Sequence, residues 1–102
     1  MTKLSLTATL TCQDGKTDEF EAALAALIEA SEEEAGLEIY SAHRVPDTND
    51  YVFFELYTDE DAFAVHGKGP NMREAMKAVG ALLAAAPDIT MLAPVVAKGM
   101  AL

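Results

Sequence analysis

The sequence has a single cysteine, few basic residues and no long apolar run. Because Cys12 stands alone among the 102 residues, no disulfide can form within the chain and no cysteine spacing typical of a metal site exists. Seven Lys and Arg residues face 17 Asp and Glu residues, a formal net charge of -10. This balance argues against nucleic acid and anionic membranes as partners, since both attract positive potential. The apolar runs are also far shorter than the ~20 residues that a membrane-spanning helix needs.

The chain length predicts one domain, residues 1–102. The acidic charge balance points to a small molecule or another protein as its partner. The amino-terminal segment MTKLSLTATLT alternates between polar and apolar residues. It has neither the apolar core nor the processing site of a signal peptide, so we expect a strand there and a cytoplasmic protein.

Hydrophobic periodicity predicts four strands and two helices, the second helix being in two parts. The strands are expected at residues 4–12, 37–45, 51–57 and 89–96, and the helices at residues 20–31, 58–66 and 72–86. Gly36 is expected to end the first helix in a left-handed conformation. Thr58 and Asn71 are expected to cap the two later helices.

This order of elements predicts an α+β fold, a ferredoxin-like βαββαβ sandwich with an antiparallel four-stranded sheet. The helices would cover one face of the sheet and leave apolar side chains on the other face. We therefore expect a homodimer, a dimeric α/β barrel in which two sheets face each other through their open faces. The ligand pocket is expected as an apolar chamber that the two sheets enclose, with His66 at its rim.

Glu55 is the one charged residue in the otherwise apolar and aromatic segment 51–57. A carboxylate buried there must be neutralised, paired or turned toward a wet cavity. Arg44 lies on the preceding strand, and an Arg44–Glu55 ion pair is expected if the hairpin register, which the sequence does not fix, brings the two side chains together. His66 ends the short helix next to the break HGKGP and titrates near neutral pH as a residue type. The acidic run at residues 32–34 is interpreted as a solvated face without a chemical role.

Several segments follow one another in an order and spacing that resemble a known family. They are GKTDEFEAAL, SEEEAGLEIYSAHR, VFFELYTDEDAF, His66 before a break, LLAAAPDI, and the terminal KG at Lys98 and Gly99. Together they cover nearly the whole chain and resemble the antibiotic biosynthesis monooxygenase domain of the dimeric α/β-barrel proteins. The resemblance implies one of several activities, because that family includes cofactor-free oxygenases of quinols and polycyclic phenols, haem-degrading enzymes, isomerases of small signalling molecules and members without an assigned activity.

Two departures from the family pattern narrow these options. Asn71 stands where the family often has a second histidine, in a segment that resembles His-x-x-Ser-x-His, and an amide does not titrate near neutral pH. This argues against a mechanism with two histidines. The chain also has no tryptophan, which the haem-degrading relatives use to distort the macrocycle, so haem degradation is disfavoured.

The resemblance therefore implies a cofactor-free monooxygenase that oxidises a quinol or polycyclic phenol, with neither metal nor cofactor expected. His66 is the candidate base, and Arg44 with Tyr40 or Asn71 would hold the phenolate oxygen. Glu55 and Tyr57 complete the predicted substrate-binding residues around a small aromatic molecule. The alternative is a non-catalytic dimeric module that binds a small hydrophobic metabolite or serves a partner enzyme, and an isomerase is a weaker option.

Overall fold

The computed structural model describes residues 2–102 and has the predicted α+β architecture. Over these residues the chain forms four strands and three helices. They are β1 Leu4–Thr11, α1 Thr17–Ser31, β2 Leu37–Arg44, β3 Asp50–Tyr57, α2 Glu60–Val65, α3 Pro70–Gly80 and β4 Asp88–Leu92. The strands form a sheet of order β2-β3-β1-β4 in which every neighbouring pair is antiparallel. The ferredoxin-like prediction is confirmed, and β4 lies at an edge of the sheet.

The hydrophobic core lies between the sheet and the helices. Alternate residues of β1 point toward the helices, as their period of two predicts. The buried core comprises Leu6, Ala8, Leu10, Cys12, Phe20, Leu24, Leu27, Tyr51, Phe53, Tyr57, Met72, Ala75 and Val79. Cys12 is a free, buried cysteine that packs in this core.

The opposite face of the sheet has no helix over it within the described residues. It carries the threonine row of β1, Thr7, Thr9 and Thr11, and the side chains of Val52 and Phe54 from β3, all of them partly exposed. The segment 51–57 is thus buried on its helix side and open on most of its other side.

Several helix boundaries differ from the predicted ones, and α1 begins at Thr17, three residues before its predicted start. Gly36 does not adopt a left-handed conformation, since the glycines with positive φ are Gly15, Gly67 and Gly99. It is instead a site of close approach, because a methyl group there would overlap the Cβ of Ala62 in α2. Asp59 caps α2 by accepting the N–H of Ala62 at 2.8 Å, whereas the Thr58 hydroxyl donates to Glu38.

The last helix is shorter than predicted and begins differently. Gly69 is its N-cap and Pro70 its first residue, so Asn71 lies inside the first turn and does not cap it. The helix ends at Gly80 because the next residues pair with the end of β1. The N–H of Gln13 donates to the carbonyl of Leu82, and the N–H of Ala84 donates to the carbonyl of Thr11.

Candidate functional site

A cavity of about 380 Å³ lies between the sheet and the helices, next to His66. Its wall is mostly apolar and includes Leu27, Phe53, Phe63, Met76, Leu83 and Ile89. Tyr40, Glu55 and His66 bring polar groups to the same wall. This cavity lies within one chain, so the expected chamber between two sheets is not the pocket that His66 borders. The reason is that His66 follows α2, which packs on the helix side of β3.

The end of α2 fixes the position of His66. The helix ends at Val65, the N–H of His66 donates to the carbonyl of Phe63, and Gly67 turns the chain with φ of 81°. The side chain is only 12 % exposed. Its ring packs edge-on against Tyr40 and Tyr57, with centroid distances of 5.4 and 5.5 Å. The imidazole is therefore held between two tyrosines and has little freedom to rotate.

Glu34 holds one edge of this imidazole. One carboxylate oxygen lies 2.6 Å from Nδ1 of His66, and the other accepts the N–H of Gly67 at 2.9 Å. Because an ionised carboxylate only accepts hydrogen bonds, this contact places a proton on Nδ1, and in the neutral imidazole Nε2 is then the acceptor. The sequence interpretation gave the run at residues 32–34 no chemical role, and for Glu34 the geometry differs from that interpretation. No local pattern links it to a histidine 32 residues away.

Glu55 faces the other edge of the imidazole from the middle of β3. Its carboxylate oxygen Oε1 lies 3.8 Å from Nε2 of His66 and accepts the hydroxyl of Tyr57. Burial raises the pKa of Glu55, and the hydrogen bond from Tyr57 and the nearby His66 oppose that rise. Burial and the same carboxylate raise the pKa of Tyr57 well above its ordinary value. Tyr57 therefore stays protonated, and its hydroxyl donates a hydrogen bond to Glu55.

The predicted Arg44–Glu55 ion pair is wrong. In the hairpin, Tyr40 lies opposite Glu55 and Arg44 lies opposite Tyr51. The guanidinium of Arg44 donates to the carbonyl of Thr48 at 3.0 Å and to Glu21 at 3.3 Å. The hairpin register, which the sequence did not fix, accounts for the difference.

Tyr40 contributes a neutral hydroxyl to the cavity. Its ring packs against Phe53 at a centroid distance of 5.1 Å and against His66. Burial, together with the carboxylates of Glu55 and Glu34, raises the pKa of Tyr40 far above its ordinary value. Tyr40 is therefore a hydrogen-bond donor at any physiological pH.

The structure brings part of the predicted site together. Tyr40, Glu55 and His66 line one cavity. Tyr57 is not part of the cavity wall, but it donates a hydrogen bond to Glu55 and its ring packs against His66. Arg44 and Asn71 lie elsewhere in the described chain. The amide of Asn71 donates to the carboxylate of Glu33 at 3.1 and 3.2 Å. A substrate contact stays a prediction for all of these residues, and the geometry supports it for those at the cavity.

Neither a metal cluster nor a membrane span occurs within residues 2–102. In that part of the chain, no three or more His, Cys, Asp and Glu side chains are grouped as a metal ion would require. None of the helices described there has the length and apolar character of a membrane crossing.

Comparison with known proteins yields a family match and close structural similarity. The family described as antibiotic biosynthesis monooxygenase matches residues 4–78. A candidate antibiotic biosynthesis monooxygenase from Caulobacter crescentus CB15 is 31 % identical, with a TM-score of 0.85 over 92 % of this chain and 91 % of the other.

Two further solved structures resemble the chain along nearly its whole length. PA3566 from Pseudomonas aeruginosa is 28 % identical, with a TM-score of 0.81 over 94 % of this chain and 97 % of that one. Rv0793 from Mycobacterium tuberculosis is 25 % identical, with a TM-score of 0.82 over 95 % and 99 %. No protein with a curated description matches the chain at a significant level. The similarity thus extends over the strands and helices that build the cavity.

Proposed function

Because the chain belongs to the antibiotic biosynthesis monooxygenase family, we propose that it is a cofactor-free monooxygenase of a quinol or polycyclic phenol. The observation that carries this proposal is the placement of His66 at the wall of a mostly apolar cavity, with Glu34 on its Nδ1 edge. An apolar pocket with a few convergent polar groups suits an aromatic alcohol. We expect the reaction to take place in the cytoplasm.

In this proposal His66 is the general base. The phenol hydroxyl would lie near Nε2, which the contact with Glu34 leaves free to accept a proton. The Glu34 carboxylate then stabilises the imidazolium that forms. Tyr40 would donate its hydroxyl to the phenolate oxygen, because its raised pKa keeps it protonated. The surrounding apolar wall excludes water and strengthens these contacts.

Dioxygen is the oxidant in this scheme, and the atoms balance with one substrate molecule. The electron-rich phenolate passes electrons to dioxygen, and one oxygen atom forms a new bond to a ring carbon. That carbon loses its hydrogen, the phenol loses its proton, and the second oxygen atom leaves as water. The ring supplies all four electrons, so a phenol becomes a quinone and a quinol becomes a hydroxyquinone.

Oxygen consumption tests the proposal directly. We expect the pure protein, without added metal or flavin, to consume oxygen with quinols and naphthols faster than autoxidation. With labelled dioxygen, one labelled atom should enter each product molecule. His66→Ala should lower the rate by about 10²- to 10⁴-fold, the usual contribution of a general base. The matched control is His43→Ala, because His43 is exposed and bonds to Ser41 on the other face of the sheet.

One observation favours the alternative of a binding module. Asn71 stands at the second histidine position and its amide is engaged by Glu33, away from the cavity. A module of this kind would be stabilised by naphthols against heat without consuming oxygen. An isomerase would convert its substrate without oxygen while still requiring His66. Either result would overturn the proposed oxidation.

We also propose that the chain forms a homodimer through the open face of its sheet. Val52 and Phe54 are partly exposed there next to the threonine row of β1. A second copy would remove these apolar side chains from water. The dimer is not needed to form the cavity, since residues of a single chain line it.

A further inference from the structure

We propose that Glu55 makes the cavity selective for neutral aromatic alcohols and excludes aromatic ligands that carry a carboxylate. This inference rests on the proposed function, because it assumes that an aromatic alcohol occupies the cavity beside His66. It adds the charge of the substrate, which neither the fold nor the family determines.

The geometry places two carboxylates around one imidazole. Glu55 approaches the Nε2 edge of His66 at 3.8 Å and Glu34 the Nδ1 edge at 2.6 Å. Of the two, Glu55 lines the cavity directly, with only 6 % of its surface exposed. Burial raises the pKa of Glu55, whereas the hydrogen bond from the hydroxyl of Tyr57 and the nearby His66 favour the ionised carboxylate. We take Glu55 as ionised at the neutral pH of the test, so that a ligand reaching His66 meets negative charge at the polar end of the cavity.

A neutral hydroxyl fits this end better than an anion does. It can donate to Nε2 of His66 or to Glu55 and accept from Tyr40, so each polar group has a partner. A carboxylate would face Glu55 in an apolar surrounding, where like charges repel strongly. Arg44 could offset such an anion, but its guanidinium is held by Glu21 and Thr48 at the far end of β2. The expected preference for the neutral ligand over the carboxylate arises from charge and not from size.

Two ligands of equal size separate charge from shape. The probes are 6-hydroxy-2-naphthamide and 6-hydroxy-2-naphthoate, which share a hydroxyl on the distant ring and differ in the neutral amide and the ionised carboxylate. Calorimetric titration at about pH 7.5, where an aromatic acid is ionised, gives both dissociation constants. We expect the wild-type protein to bind the amide at least about tenfold more tightly than the naphthoate. Glu55→Gln should reduce this ratio to about threefold or less, mainly by strengthening the binding of the naphthoate.

Two further variants keep the result unambiguous. Glu34→Gln removes the second carboxylate near His66 and should also reduce the ratio, although less than Glu55→Gln, since Glu34 does not line the cavity. Glu32→Gln removes the same charge from an exposed residue two positions earlier and should leave the ratio unchanged. Circular dichroism of each variant checks that it folds. If Glu55→Gln does not fold, the Glu34→Gln and Glu32→Gln pair carries the test.

The outcomes distinguish this inference from the proposed function. If the protein binds the amide selectively but consumes no oxygen with any quinol supplied, charge selection is supported and the proposed oxidation is overturned. Oxidation of a carboxylated quinol as fast as its amide would overturn charge selection and leave the oxidation standing. Charge selection is also overturned if the amide fails to bind, or if the ratio is the same in the wild type and in Glu55→Gln.

Discussion

Oε1 of Glu34 lies 2.6 Å from Nδ1 of His66, and Oε2 of the same carboxylate accepts the N–H of Gly67 at 2.9 Å. This contact joins the turn that follows α1 to the residue that ends α2. It fixes the orientation of the imidazole and, in the neutral ring, places the proton on Nδ1. The arrangement of carboxylate, histidine and substrate is a common way to prepare a general base.

Glu34→Gln should lower turnover while leaving substrate binding nearly intact. The side-chain oxygen of Gln can still accept a hydrogen bond from the N–H at Nδ1. It carries no charge, so it cannot stabilise an imidazolium as a carboxylate does. We expect kcat for oxygen consumption to fall by about tenfold or more, with KM changed far less. Glu34→Asp should recover part of kcat, and the exposed control Glu32→Gln should match the wild type. An equal kcat in Glu34→Gln and wild type would contradict the positioning role.

Glu55 should make the stability of the protein depend on pH in a defined direction. Burial raises its pKa above the ordinary value of 4.5. The contribution of protonated Glu55 to the free energy of unfolding is therefore complete below pH 4.5. It is lost as the pH rises through the pKa that Glu55 has in the folded state. Glu55→Gln removes this titration, and its amide oxygen can still accept the Tyr57 hydroxyl.

The free energy of unfolding of Glu55→Gln, relative to the wild type, should thus increase as the pH rises above 4.5. The increase should be at most about 1.4 kcal/mol per pH unit. Urea denaturation at pH values from about 4.5 to 8 measures it. For the exposed control Glu32→Gln the difference should stay constant, and a constant difference for Glu55→Gln would refute the predicted direction.

Gly36→Ala should destabilise the protein and disturb the site. A methyl group at this position would overlap the Cβ of Ala62, so α2 must shift, and α2 carries His66 at its end. We expect a loss of about 1–3 kcal/mol in the free energy of unfolding, as for other overpacked positions. Gly80→Ala is the control, since a Cβ at Gly80 meets nothing within 4 Å. Thermal and urea unfolding should show the control to be as stable as the wild type or more so.

Phe54→Glu should prevent formation of the proposed dimer. Phe54 lies on the open face of β3, between Thr7 of β1 and Ser41 of β2. A carboxylate at this position would have to be desolvated in a dimer that faces sheet to sheet. Sedimentation should show twice the chain mass for the wild type and a single chain for Phe54→Glu. A monomeric wild-type protein would refute the proposed homodimer.

Some features of the fold were predictable because their causes are local. The alternation of Leu4, Leu6, Ala8 and Leu10 with polar residues required a strand with one apolar face. The turn formers at residues 46–50 required a hairpin between β2 and β3. Capping was predicted less well: Asp59 takes the place expected of Thr58, and Gly69 that of Asn71. A shift of one or two residues at a helix start changes the cap while leaving the apolar pattern intact.

The sequence by itself determined the order of the elements, the buried carboxylate of Glu55 and the place of His66 at a helix end. Only the tertiary structure decided that Glu55 faces Tyr40 and Tyr57, that Arg44 belongs to Glu21, and that Glu34 holds His66. It also placed the cavity between the sheet and helices of one chain. The physical reason is that periodicity and turn preferences act over a few neighbouring residues. The partners of a charged side chain depend on strand register and on contacts between distant segments, which no local pattern specifies.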